Sequence, residues 1–174
     1  MKKTVVPALI LTAICLVVVA LLAFTNLLTE ERIAAAEREA TLAAAKSVLP
    51  AASTLSELTE EGISGYVGCD AEGKAVGYVF IHSSKGYGGD VTAIVGISKD
   101  GVITGVSVRA ADETPGLGAN VTKDAFTSQF VGRTDTEVYT PVTGATYSSN
   151  AAEEAIKAAL DSFQRITEQE ANGQ

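Results

Sequence analysis

The chain has 174 residues, 47% of them hydrophobic and 20% charged, with a formal net charge of −8, two cysteines and a single histidine. That length suits one globular domain with an appendage, and the acidic surplus opposes binding of nucleic acid or anionic lipid. One imidazole excludes chemistry that needs several, and Cys15 and Cys69 supply no disulfide framework, CxxC pair or zinc spacing.

Residues 5–24 read VVPALILTAICLVVVALLAF without a charge. About 20 residues at 1.5 Å each match a hydrocarbon core roughly 30 Å thick, so this run is long enough to span a bilayer. Lys2 and Lys3 precede it and Glu30 and Glu31 follow. By the positive-inside tendency the first residues stay in the cytoplasm, and everything beyond Leu28 lies outside. A cleaved signal peptide also begins with a basic start before an apolar run. This run is longer than such a region normally is, and Val18 to Ala20 make only a passable cleavage site. All 21 acidic side chains but 11 of the 13 basic ones lie beyond the run, an excess of ten negative charges that favours solubility of that part.

Residues 1–28 are therefore read as a membrane anchor, 29–50 as a helical stalk and 51–174 as the extracytoplasmic domain. The stalk, TEERIAAAEREATLAAAKSV, is rich in Ala and Glu, and Pro50 closes it. Leu55 and Leu58 lie in a stretch with no clear period. Beyond Gly62 come SGYVGC, AVGYVFIHS, DVTAIVGIS and VITGVSV, four β-branched and aromatic runs joined by turn-like sequences such as DAEGK and KDG. They predict an antiparallel sheet with one face covered. A short helix is expected over 122–130, with Phe126 and Phe130 on one face, and a last strand over 138–142. Asn150 with Glu153 reads as a capping box opening a helix to about Ile166, whose apolar side carries Ala151, Ile156, Ala159, Leu160 and Phe163. The class is α+β: an N-terminal transmembrane helix and stalk, then an antiparallel sheet flanked by helices.

Two loops carry candidate chemistry. In TPVTGATYSSN, residues 140–150, Gly144 and Ala145 permit close approach of a ligand. The helix mouth that follows offers unpaired N–H groups and partial positive charge to an anion such as a phosphate, and Thr146 stands there with an exposed hydroxyl. In ETPGLG, residues 113–118, Pro115 stiffens the turn, Gly116 and Gly118 admit a close backbone, and Leu117 is left to lie against a flat ring. A plain Pro-Gly turn is the bland alternative. GYGG, residues 86–89, is either a simple connection or a shield in which Tyr87 faces that ring. Arg109, Arg133, His82 and Cys69 read as surface or structural residues.

The stretch Thr143-Gly144-Ala145-Thr146 resembles the flavinylation motif of the FMN-binding domain family, in which the last hydroxyl forms a phosphoester with FMN, installed by a flavin transferase. ETPGLG, the segment GYGGDVTAIVGISKDGVITGVSV and the anchor with its IAAAEREA stalk resemble the G subunit of the Rnf ion-translocating electron-transport complex, so the likeness covers essentially the whole chain. It implies covalent FMN on Thr146. The remaining candidate contacts are Thr143, Gly144, Ala145, Ser149, Glu113, Thr114, Leu117, Gly118 and Tyr87. It also implies other membrane subunits as partners and an electron-relay role in ferredoxin:NAD chemistry coupled to Na+ or H+. The chain departs from the family at Thr140, where Asp is usual, and at Ala111, where His is usual.

The chain has no dinucleotide fingerprint, iron–sulfur cysteine set or acid–base cluster, so it is read as an electron-transfer subunit and not a complete enzyme. The C subunit of the sodium-pumping NADH:quinone oxidoreductase and a stand-alone extracytoplasmic flavin carrier are near alternatives. A pilin-like assembly protein, with its apolar helix, α-stalk and β domain, is the alternative of another class.

Overall fold

The four runs rich in β-branched and aromatic residues and one short edge segment lie side by side as five strands in the computed structural model, which describes residues 2–58 and 62–172. The strands are β1 (Thr54–Glu57), β2 (Gly65–Cys69), β3 (Ala75–Lys85), β4 (Asp90–Ser98) and β5 (Ile103–Arg109). They pair antiparallel in chain order, β1 to β5. Tight turns set the register. Asp70 Oδ1 accepts the amides of Glu72 and Lys74 in the DAEGK turn, and Gly73 and Gly101 take the left-handed φ values of 79° and 78° that each hairpin requires.

Two units divide the chain, residues 1–40 and 41–174. A single helix, α1 (Lys2–Val48), begins in the first and ends in the second. Within the first unit it is long and apolar enough to cross a membrane, and residues 6–40 are all exposed. Its end at Val48, two residues before Pro50, is where the sequence puts it.

The expectation of a sheet covered on one face is corrected in the second unit, where both faces are covered. Tyr78 and Phe80 of β3 and Ala93, Val95 and Ile97 of β4 point to one side, against α3 (Thr146–Asn172) and its row Ala152, Ile156, Ala159, Leu160 and Phe163. Val79 and Ile94, the alternate residues, point to the other side against Ala45, Val48 and Leu49 at the end of α1. That approach is close because glycines face it. A Cβ on Gly96 would lie 2.2 Å from the Val48 carbonyl oxygen, and one on its partner Gly105 would lie 2.7 Å from the Val48 Cα. The Thr104 hydroxyl donates to the same carbonyl at 2.6 Å, satisfying a group left open at the helix end. Ile156 is fully buried in the larger core, so truncating it to Ala is expected to cost about 2–5 kcal/mol.

Three other expectations change. A short edge strand, β1, occupies the unassigned stretch around Leu55. The helix expected over 122–130 shrinks to a 3-10 turn (Gly118–Thr122) and α2 (Asp124–Thr127), with Phe126 and Phe130 in edge contact at 5.5 Å. No strand forms over 138–142: the Gln129 side chain takes the Thr140 backbone instead, accepting from its N–H at 2.8 Å and donating to its C=O at 3.2 Å.

Candidate functional site

Helix α3 starts at Thr146, four residues before the expected cap. The capping-box residues are used otherwise: Asn150 Oδ1 accepts from the Tyr139 hydroxyl at 2.7 Å, and the Glu153 carboxylate accepts from Thr136 Oγ1. Burial first, then the neighbouring Glu153 and Glu154 charges, raise the Tyr139 phenol above its ordinary value, so it stays a donor to Asn150. The first helical bond runs from Ser149 N–H to the Ala145 carbonyl at 2.9 Å. The amides of Thr146, Tyr147 and Ser148 consequently lack a helical acceptor.

Ahead of the helix, residues 142–145 form a tight turn in which Ala145 N–H donates to the Val142 carbonyl at 3.0 Å. Gly144 takes a φ of 77°, the left-handed region that disfavours side chains. Ser149 is fully buried and locks this turn from inside, its hydroxyl donating to the Ala145 carbonyl and accepting from Val142 N–H, both at 2.9 Å. It is a brace and does not line the cavity.

The second loop is 113–118, where the amides of Leu117 and Ala119 both donate to the Thr114 carbonyl and Gly116 takes a φ of 79°. It faces the 144–148 turn across a cavity of about 460 Å³ lined by Tyr87, Glu113, Thr114, Leu117, Gly118, Gly144, Ala145, Thr146, Tyr147 and Ser148. Eight of the ten sequence-derived candidates thus meet around one space. Thr143 instead opens to a neighbouring cavity of about 450 Å³ with Lys123, Phe126, Gln129 and Thr140.

Tyr147 and Ser148 escape the sequence reading, because a helix start placed at Asn150 hides them as first-turn residues. The cavity has an apolar, aromatic rim: the Tyr87, Leu117 and Tyr147 side chains are exposed and line it, and Gly118 contributes backbone alone. A Cβ on Gly118 would lie 2.1 Å from Glu113 Oε2 and 2.6 Å from Ser148 Oγ, so that position has no room to spare. Among the described residues no Lys or Arg lines this cavity. Arg109 donates to Thr41 Oγ1 at 3.0 Å, and Arg133 pairs with Asp135 at 2.8 Å, so positive potential at the cavity comes from the start of α3.

Residues 86–161 match the FMN-binding domain family, and residues 1–48 match the RnfG N-terminal region. The G subunit of the ion-translocating oxidoreductase complex of Methanosarcina acetivorans is 35% identical, with 91% of this chain and 92% of that protein covered. The G subunit of the Na(+)-translocating ferredoxin:NAD(+) oxidoreductase complex of Acetobacterium woodii is 32% identical, covering 91% and 84%. Among solved structures, the C subunit of a Na(+)-translocating NADH-quinone reductase from Parabacteroides distasonis aligns at a TM-score of 0.47 and 20% identity, over 56% of this chain and 59% of that one.

Proposed function

We propose, for a chain that belongs to the G-subunit family of ion-translocating oxidoreductase complexes, that it is a membrane-anchored flavoprotein relaying electrons through FMN esterified to Thr146 in an Rnf-type ferredoxin:NAD complex. One observation carries this reading. Thr146 is the first residue of a 27-residue helix and lines the cavity, so its hydroxyl and three amides without helical acceptors lie at one place. A phosphoester there would set its remaining negative charge against the positive end of the helix. FMN, where bound, supplies the electron-carrying chemistry, and the protein supplies attachment, orientation and shielding.

The residues divide that work. Thr146 provides the hydroxyl that the ester needs. Gly144 and Ala145 keep the turn narrow, while Leu117 and Tyr147 offer apolar surface to a ring system, and Gly118 lets Glu113 and Ser148 pack closely behind it. The residues after the anchor lie outside the cytoplasm, consistent with Lys2 and Lys3 before the apolar run and Glu30 and Glu31 after it. A dedicated flavin transferase completes maturation there. The partners are the other membrane subunits of the complex, because this sequence carries neither a dinucleotide fingerprint for NAD nor a cysteine set to exchange electrons with ferredoxin.

Co-expression of the full chain with a flavin transferase, followed by a denaturing gel under ultraviolet light, tests the assignment. The parent band is expected to fluoresce and to gain the mass of one FMN less water. Thr146→Ala and Thr146→Val are expected to be dark, whereas Thr146→Ser keeps the hydroxyl and fluoresces. A dark parent band would overturn covalent attachment.

A further inference from the structure

Glu113 is the buried acid of the fold: among the described residues no other Asp, Glu, Lys or Arg is buried. Its Oε1 accepts two backbone amides from the β3–β4 hairpin tip, Tyr87 N–H at 2.7 Å and Gly88 N–H at 3.2 Å. Glycines let the tip come this close. A Cβ on Gly86 would lie 2.3 Å from Glu113 Oε1, and one on Gly88 would lie 2.2 Å from the Asp112 carbonyl oxygen. The same tip closes on itself without help, through Gly86 N–H to the Gly89 carbonyl at 2.8 Å and the Lys85–Asp90 register pair.

A hairpin that already closes itself does not need a buried carboxylate, and burying one carries a desolvation cost. What the extra bonds fix is where the tip stands. Between the two bonded amides sits the Tyr87 side chain, which is 81% exposed, belongs to neither hydrophobic core and lines the cavity. We infer that Glu113 is a positioning residue, a latch that fastens the 86–89 loop so that Tyr87 stands over the cavity and shields the bound flavin ring from water. This rests on the flavoprotein reading above. Glu113 then acts through Tyr87 and not by contacting the ring, since the Tyr87 and Gly88 amides already engage Oε1 and Oε2 is packed toward Gly118.

The test uses the full chain carrying flavin and measures iodide quenching of flavin fluorescence, counted per attached flavin. Relative to the parent, Tyr87→Ala and Glu113→Ala are each expected to raise the quenching constant several-fold. The double variant should go no further than either single one. Glu113→Gln keeps an acceptor oxygen for both amides and should restore shielding, which a general loss of packing would not explain. Equal quenching of Glu113→Ala and parent, or additive effects in the double variant, would overturn the latch. Should Glu113→Ala fold or load poorly, hydrogen exchange on the parent and Glu113→Gln decides. Tyr87 and Gly88 amides that exchange slowly in the parent and at most slightly faster in Glu113→Gln support the latch, and parent amides that exchange as fast as an open loop overturn it. A dark parent band on the denaturing gel would instead strike the covalent attachment at Thr146, leaving the exchange result to stand or fall separately.

Discussion

Thr143 and Thr146 are the same residue type three positions apart, yet they open onto different cavities. The turn between them sends Thr143 toward α2 and makes Thr146 the first residue of α3. Thr146 therefore shares its surroundings with amides lacking helical acceptors, with Leu117 and with Tyr147, while Thr143 shares its own with Lys123, Phe126 and Gln129. A hydroxyl is common in this segment. Backbone direction makes one of them chemically distinct.

The sharpest way to break this contrast is to remove each hydroxyl in turn. Thr146→Ala should abolish covalent flavin although Thr143 remains, and Thr143→Ala should lower attachment without abolishing it, as read by fluorescence and peptide mass mapping. Flavin recovered on Thr143 in the Thr146→Ala protein would mean that the two sites are interchangeable, and the contrast would fail.

The brace is next. Ser149→Ala leaves the half-buried Val142 N–H without its acceptor, a loss of about 1–3 kcal/mol in unfolding free energy by urea titration. It also frees the turn that separates the two threonines, so attachment at Thr146 should slow. An unchanged urea midpoint would show that Ser149 does not hold the turn. A somewhat smaller effect is expected from Gly144→Ala. Its φ of 77° is strained for any residue with a Cβ, and that atom would meet Leu117 Cδ2 at 3.3 Å, so about 1–2 kcal/mol should be lost. Here thermal unfolding and the rate of flavin loading should fall together.

How far these features are legible in the sequence follows from what each signal depends on. Strands β2 to β5 announce themselves because alternation and turn residues are local. β1 does not: TLSE is four residues long, lies at a sheet edge and is defined by its pairing with β2, from Thr54 opposite Cys69 to Glu57 opposite Tyr66. The false strand at 138–142 has the right residue types, but Gln129 takes its backbone. The helix start is hard to place because Asn150 and Glu153 have capping-box spacing, while Tyr139 and Thr136, distant in local context, claim both side chains. Both loops of the site are readable since Gly and Pro mark them. The Gly96–Gly105 pair, which admits the end of α1, is a tertiary fact with no local period to reveal it.

The smallest effect comes from the sheet side of α3, where His82 Nε2 lies 2.9 Å from Ser162 Oγ. Burial lowers the ring below its ordinary value of 6.5, and the Asp161 charge opposes that only in part. Because the folded-state value lies below the unfolded one, folding favours the neutral ring. The stabilisation is complete above the ordinary histidine value and is lost as pH falls through the lowered one. Urea midpoints measured above and below 6.5 should therefore fall further for the parent than for His82→Gln, while the amount of flavin held at Thr146 is the same in both proteins. Equal pH responses would show that His82 does not titrate with folding. A loss of attached flavin in His82→Gln would mean instead that this end of the sheet reaches the turn at Thr146, and that its separation from Thr143 depends on more than the residues between them.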